Sequence, residues 1–170
     1  SGTGKTAVAQ ALAPNLPGPG GARLLRSDVL RKSKLGLGLT EKAPEACYAP
    51  ERRAEIYRQL AAKAAEAIAG GASAVADATF RVRSAREAIA AAASGAPFHA
   101  FWLTAPDSVR IARVAQRAGD ASDADIKVAV EQREPADLGQ TWRRIDASRP
   151  VAEIVCDMLD EITRANARKT

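Results

Sequence analysis

The stretch Ser-Gly-Thr-Gly-Lys-Thr at residues 1–6 is the strongest indication of the fold. It matches the last six positions of the P-loop pattern Gly-x-x-x-x-Gly-Lys-Ser/Thr, in which a glycine-rich turn and the next helix N-terminus bind phosphate. Gly2 and Gly4 permit backbone angles and a close approach that a Cβ would prevent. Lys5 would place its ammonium between the β- and γ-phosphates, and the Thr6 hydroxyl would bind Mg²⁺. A plain helix cap is the alternative, but the α/β pattern downstream favours a site for ATP and Mg²⁺.

Short apolar segments alternate with longer helical segments along the chain, which predicts an α/β fold with a parallel sheet. The predicted strands cover 22–27, 73–78, 97–103 and 144–147. The predicted helices cover 5–13, 28–34, 51–69, 83–93, 106–118, 123–134 and 150–165. We expect one P-loop NTPase domain over 1–170, with a three-layer α/β/α arrangement. Because a strand leads into a P-loop, we also expect the first strand to be missing from this chain, which would then be part of a longer polypeptide.

The composition narrows the class of protein. The chain has 170 residues and a formal charge of +5, with 46% hydrophobic and 4% aromatic residues. Arginines are scattered rather than massed, so the mild positive charge fits a cleft for nucleotide phosphates better than a nucleic-acid surface. Cys47 and Cys156 match no metal or redox spacing, and no apolar run is long enough to span a membrane. We expect a cytoplasmic protein with reduced thiols and no nucleic-acid or membrane partner.

Two carboxylates fall at predicted strand ends. Asp28 follows the strand 22–27, and Asp77 lies at the end of the strand 73–78. Ligands of open α/β sheets bind beyond the carboxyl ends of the strands. Asp28 could take a proton from an attacking hydroxyl, or it could cap the next helix. Asp77 could hold a Mg²⁺-bound water or orient the acceptor, or it could simply start a turn with Thr79. Which of the two is the general base stays open.

Several arginines are candidates for charge neutralisation, because phosphoryl transfer depends on cations near the γ-phosphate. Arg110, Arg113 and Arg117 share one face of the helix 106–118. The alternative interpretation is that this face is simply basic and solvated. Arg113 and Arg117 lead into a small, polar segment and are the best candidates for a lid, with Arg133 weaker.

Arg31 and Lys32 directly follow Asp28. They could bind an anionic acceptor or lie at the solvent-facing end of a short helix.

Four stretches carry a family resemblance: residues 1–6, RSDVLRK at 26–32, VADATF at 75–80 and GDASDA at 119–124. Together they resemble the P-loop kinases of the nucleoside and nucleotide kinase-like group. In particular they resemble the AAA_33-type "predicted kinase" domain, which is related to zeta toxin, chloramphenicol phosphotransferase and polynucleotide kinase. The resemblance implies that the matching Asp28 faces the acceptor and that 113–134 forms a lid.

The resemblance also implies a set of nucleotide contacts: Ser1, Gly2, Thr3, Gly4, Lys5, Thr6, Arg117 and Arg149. Arg149 follows the last predicted strand, where related folds contact the adenine. Domains of this type sometimes lie downstream of an aminoglycoside phosphotransferase-like domain. The resemblance therefore suggests an upstream domain of the parent polypeptide as a partner.

The leading hypothesis is an ATP-dependent kinase that transfers the γ-phosphoryl group to a hydroxyl of a small molecule. The alternatives are a nucleotide-binding regulatory module with little turnover, or a nucleic-acid 5′-hydroxyl kinase. We expect the loop 35–50 to select the acceptor, with Tyr48 and Tyr57 as possible contacts. His99 is interpreted as structural, and Trp142 either packs at the last strand or lines the base pocket.

Overall fold

The computed structural model describes residues 1–116, 122–123, 130 and 135–167. Ten helices and strands lie within these residues, in the order α1 Lys5–Leu12, β1 Arg23–Arg26, α2 Ser27–Lys34, α3 Pro50–Ala69, β2 Ala74–Asp77, α4 Arg83–Ala91, β3 Ala100–Thr104, α5 Asp107–Ala115, β4 Trp142–Asp146 and α6 Val151–Ala167. Short 3-10 turns cover Ala13–Asn15 and Glu45–Tyr48. Strands and helices alternate as predicted, which confirms the α/β fold. The predicted helix 123–134 falls mostly outside the described residues.

The strands pair in parallel. β1 pairs with β2 so that Arg26, the last residue of β1, lies opposite Asp77, the last residue of β2. β3 pairs with β4 in the same sense, with Thr104 opposite Asp146. Parallel strands bring their carboxyl ends to one edge, so the residues that follow β1 and β2 meet there.

Helices cover both faces of the strands. One apolar cluster joins Leu25 to α3 and α4, and a second joins α1 and α6 to Ile145 of β4. Side chains alternate along β2 between these clusters: Ala74 and Ala76 pack against the first, and Val75 against the second. This period of two is what a strand buried between two helix layers requires. The three-layer arrangement is therefore the predicted one.

A gap separates the two strand pairs. Among the described residues, β2 and β3 are not hydrogen-bonded to each other, and a cavity of about 700 Å³ lies between them. The four residues of β2 and the five of β3 all line it. The strand expected ahead of Ser1 stays a prediction. Among the described helices, none combines the length and the apolar character that a membrane span requires.

Candidate functional site

The turn before α1 has the backbone shape of a phosphate-binding loop. Gly2 and Gly4 have φ angles of 79° and 83°, in the left-handed region that favours glycine. A Cβ on Gly2 would also lie 2.3 Å from the carbonyl oxygen of Arg110, which no side chain could accommodate. Gly4 immediately precedes Lys5, the first residue of α1. The positive φ angles and the crowding at Gly2 therefore both require glycine in the predicted phosphate loop.

Two arginines of α5 hold the outer side of this loop. Arg110 Nε donates to the Ser1 carbonyl at 3.0 Å, and Arg113 Nη1 donates to the Thr3 carbonyl at 3.4 Å. In a trans peptide the next N–H points away from the carbonyl, so the amides that follow these two carbonyls face the opposite side. That orientation suits amides that bind an anion.

The sequence predicted Arg113 as a lid residue, but the structure gives it a different place. Its strongest hydrogen bond goes to the carbonyl oxygen of Ala147, at 2.7 Å, just after β4. Because the same nitrogen also reaches Thr3, the side chain joins the phosphate loop to the end of β4. Arg113 is therefore a support of the loop. The second lid candidate, Arg117, and the weaker one, Arg133, lie outside the described residues.

The predicted metal pair meets at the carboxyl end of β2. The Thr6 hydroxyl donates to Asp77 Oδ2 at 2.6 Å, although the two residues are 71 positions apart. Asp77 is buried and its carboxylate lies 3.5 Å from Nε of Arg26. No role was predicted for Arg26, because its contact with Asp77 depends on strand pairing. Among the residues that the structure describes, no three His, Cys, Asp or Glu side chains cluster as a self-sufficient metal site.

The residues present fit a magnesium nucleotide. Mg²⁺ binds through few protein oxygens and completes its shell with water and phosphate, and Thr6 and Asp77 are a donor set of that kind. The buried hydroxyl of Thr3 makes no hydrogen bond to any described residue. A buried hydroxyl without a partner is costly, and a phosphate oxygen would supply the missing acceptor.

The second carboxylate follows β1. Asp28 lies in the first turn of α2, whose N-cap is Arg26 without a side-chain capping bond, so the helix-cap interpretation of Asp28 is wrong. Its side chain is 30% exposed and accepts a 2.5 Å hydrogen bond at Oδ1 from Arg31. The Arg31 guanidinium in turn lies 4.5 Å from the centroid of the Tyr48 ring. Arg31 is therefore placed next to the candidate base rather than at a solvent-facing helix end.

Lys32 and Tyr48 are both bound to a residue far along the chain. Lys32 Nζ lies 2.7 Å from Asp123 Oδ1, with only 2% of the lysine side chain exposed. Tyr48 donates its hydroxyl to Asp123 Oδ2 at 2.5 Å. Lys32 is thus committed to a buried ion pair, which corrects its interpretation as an acceptor-binding cation. Asp123 was not predicted, because nothing in the sequence relates it to α2.

The turn after β2 is fixed by buried side chains that sequence reasoning missed. The Tyr57 hydroxyl lies 2.8 Å from the Thr79 hydroxyl and accepts a hydrogen bond from the Phe80 N–H at 3.1 Å. Buried Arg86 donates to the carbonyls of Phe80 and Arg81. These bonds hold Phe80 at a φ of 42°, an unfavourable angle for an aromatic residue. Tyr57 therefore supports this turn, and its predicted acceptor contact stays a prediction.

Other predicted residues have structural contacts. Arg149 pairs with Glu153 and Asp157 on α6, and its predicted adenine contact stays a prediction. The Trp142 ring packs between Phe80 and Trp102. The remaining residues are accounted for more simply: His99 Nε2 lies 3.1 Å from Asn166 Oδ1, and Cys47 and Cys156 are free.

Fold and loop together define a P-loop nucleotide-binding domain of the kinase type. The chain belongs to the AAA_33 family, described as an AAA domain, whose family model matches residues 1–138. No curated protein matches the chain.

Two solved structures have a similar fold. A sugar kinase from Janibacter sp. HTCC2649 is 20% identical, with a TM-score of 0.67, and the match covers 94% of this chain and 88% of the other. A gluconokinase from Sinorhizobium meliloti 1021 is 22% identical, with a TM-score of 0.61 and coverage of 97% and 88%. At these identities the similarity establishes the fold, and the kinase-like α/β fold is thereby confirmed.

Proposed function

We propose that the protein is a Mg²⁺- and ATP-dependent kinase that phosphorylates a hydroxyl of a small molecule, with sugars and sugar acids as the first class of acceptor. The observation that carries the proposal is the meeting of Thr6 with Asp77 beside the phosphate loop, one strand away from Asp28. The names of the two similar structures, a sugar kinase and a gluconokinase, support the choice of acceptor class.

The residues divide the reaction between them. The loop amides and the Lys5 ammonium bind the phosphates, and Thr6 with Asp77 would hold Mg²⁺. When bound, the ion neutralises charge on the β- and γ-phosphates. The acceptor oxygen forms a bond to the γ-phosphorus while the bond from that phosphorus to the ADP oxygen breaks. The acceptor proton passes to the carboxylate of Asp28, whose Oδ1 is already held by Arg31.

Phosphate transfer from labelled ATP in the full-length protein tests the proposal, with a panel of aldoses, sugar acids and other hydroxyl compounds as acceptors. Lys5→Met should reduce transfer about 10³-fold, because it removes a cation that binds the charge of the transition state. Asp28→Asn should reduce it by about 10²- to 10⁴-fold through loss of the base.

Matched surface variants provide the controls. Lys63→Met on α3 and Asp160→Asn on α6 change exposed residues of the same types and should keep full activity. If Lys5→Met transfers phosphate as fast as the wild type, the kinase proposal is wrong. If Asp28→Asn alone keeps full activity while ATP still binds, the domain is better described as a nucleotide-binding regulatory module.

A further inference from the structure

A buried polar cluster ties the segment between α2 and α3 to Asp123. The backbone N–H of Ala43 donates to Asp123 Oδ2 at 2.9 Å, across 80 positions of sequence. Tyr48, near the other end of the same segment, donates its hydroxyl to the same oxygen at 2.5 Å. Lys32 pairs with Asp123 Oδ1 at 2.7 Å and also donates to the Leu39 carbonyl at 3.0 Å. One carboxylate thus anchors a segment that has little regular structure of its own.

The cluster is closed to solvent and internally satisfied. The side chains of Lys32 and Asp123 are 2% and 8% exposed, so neither is available to a ligand. Burial alone would raise the pKa of Asp123, but the hydrogen bonds from Lys32, Tyr48 and Ala43 outweigh it and hold this pKa below its usual value. Asp123 is therefore ionised at neutral pH, and its role is to hold other groups in place.

A chain of contacts runs from this cluster to the candidate base. The Tyr48 hydroxyl donates a hydrogen bond to Asp123. The Arg31 guanidinium lies over the Tyr48 ring, 4.5 Å from its centroid. Arg31 then donates to Asp28 Oδ1 at 2.5 Å. The Arg31 side chain is 7% exposed, so its position is set by these neighbours rather than by solvent. Each link is a direct contact, and together they connect Asp123 to Asp28.

We propose that Asp123 is a positioning residue for the acceptor half of the site. It fixes Tyr48, Tyr48 fixes Arg31, and Arg31 holds one oxygen of Asp28 so that the other faces the acceptor hydroxyl. The role assigned to Asp28 rests on the proposed kinase function, whereas the anchoring of the segment by Asp123 does not. A displaced base slows transfer even when every reacting group is present. Loss of Asp123 should therefore lower kcat/KM for the acceptor and leave ATP binding unchanged.

The first measurement is hydrogen–deuterium exchange at Ala43, followed in peptides from the segment between α2 and α3 of the full-length protein. Asp123→Asn keeps the shape of the side chain and removes its charge. It should speed exchange of the Ala43 amide by about tenfold or more while α3 stays as protected as in the wild type, because only the segment loses its anchor. Asp160→Asn, the exposed control on α6, should leave both regions unchanged. Equal protection of Ala43 in Asp123→Asn and the wild type would overturn the proposal.

The second measurement separates the substrates kinetically, with ATP and either D-gluconate or the panel acceptor that the wild type phosphorylates fastest. Asp123→Asn should lower kcat/KM for the acceptor by about 10- to 100-fold, with KM for ATP within about twofold of the wild type. Tyr48→Phe keeps the ring beside Arg31 and loses only the hydroxyl bond, so its effect should be smaller. The double variant should be no slower than Asp123→Asn alone, because both changes act through one chain of contacts.

The outcomes distinguish the two proposals. Equal losses for ATP and acceptor, or additive effects of the two variants, would show that Asp123 is merely structural. A wild-type protein that transfers phosphate to no compound of the panel would remove the kinase proposal and the role of Asp28, while the exchange result would still decide whether Asp123 anchors the segment.

Discussion

The phosphate side and the acceptor side of the site are built in different ways. The phosphate side comprises residues 1–6 with Asp77, and its shape comes from backbone angles at two glycines and from one short bond between strand end and helix start. The acceptor side comprises Asp28, Arg31, Tyr48 and Asp123, which are held by side-chain contacts between residues up to 75 positions apart. A local motif and one strand-end carboxylate specify the first, whereas only side-chain contacts of the folded chain specify the second.

This difference shows where specificity can change. ATP presents the same phosphates whatever the acceptor is, so a backbone cradle for them can stay fixed. The acceptor side depends on a segment of little regular structure that is anchored at a few points, and such segments tolerate substitution well. Variants of the two sides should therefore have distinct kinetic signatures.

Among the variants that compare the two sides, those of the metal pair should have the largest effect. Thr6→Val and Asp77→Ala each remove one member of a 2.6 Å hydrogen bond at the proposed Mg²⁺ site. We expect each to lower kcat by about 10²- to 10³-fold, since the ion loses one of its two protein oxygens. Titration of activity with MgCl₂ checks this result, with a raised Mg²⁺ requirement as the expected signature. An unchanged Mg²⁺ dependence would contradict the assignment of both residues.

Removal of the buried Lys32 cation should have the next largest effect, and this effect should be on the free energy of unfolding. Lys32→Met leaves the Asp123 carboxylate buried without its cation, which should cost about 3 kcal/mol of unfolding free energy. Urea unfolding gives the value. The double variant Lys32→Met with Asp123→Leu should recover much of it, because no buried charge remains unpaired. ATP affinity should not change, and a large loss of ATP affinity would break the separation of the two sides.

A single methyl group added to the phosphate loop should weaken the binding of ATP rather than of the acceptor. In Gly2→Ala the new Cβ would meet the Arg110 carbonyl oxygen at 2.3 Å with φ at 79°. The loop must shift, and we expect ATP to bind about 10- to 100-fold more weakly, because misplaced amides lose their phosphate contacts. Gly36→Ala is the matched control, since its φ is also positive but no atom lies within 4 Å of the added Cβ. Equal ATP affinity in both variants would contradict the assigned crowding.

The smallest effect should be a change with pH on the acceptor side. Burial and the hydrogen bond to Asp123 raise the pKa of Tyr48 above its ordinary value of 10.0. A raised pKa contributes stability that is complete below the unfolded value and is lost as the pH rises through the folded value. The stability of the wild-type protein should therefore fall more steeply than that of Tyr48→Phe as the pH rises above about 10. Urea unfolding of both proteins over this pH range measures the loss of stability. An equal loss in the two proteins would contradict the raised pKa of Tyr48.

Much of the fold and of the phosphate side follows from the sequence. Alternating apolar and helical segments predicted every described strand, the P-loop pattern assigned Thr6 to Mg²⁺, and the strand-end position made Asp77 a candidate for the same ion. These features are local, or they follow from the rule that parallel strands end at one edge. Asp28 and Asp77 could be named for that reason.

The acceptor side could not be predicted in the same way. Asp123 has no pattern around it that points to Lys32, and the pairing exists only because the chain returns to α2. Arg113 shows the same limit from the opposite direction. Its spacing on a basic helix face suggested a lid, but the end of β4 provides a carbonyl at 2.7 Å that no sequence pattern reveals. Residues whose partners come from distant segments need coordinates for their assignment.

The gap between β2 and β3 bears on how the protein must be handled. Among the described residues, neither strand has a hydrogen-bonded neighbour on that side, and such edges pair readily with strands of other molecules. The same gap is lined by Ser1, Thr3 and Lys5 of the phosphate loop, so pairing at these edges would take place next to the proposed nucleotide site. We expect the domain to self-associate as its concentration rises. Light scattering is therefore a prerequisite for every affinity measured on this domain.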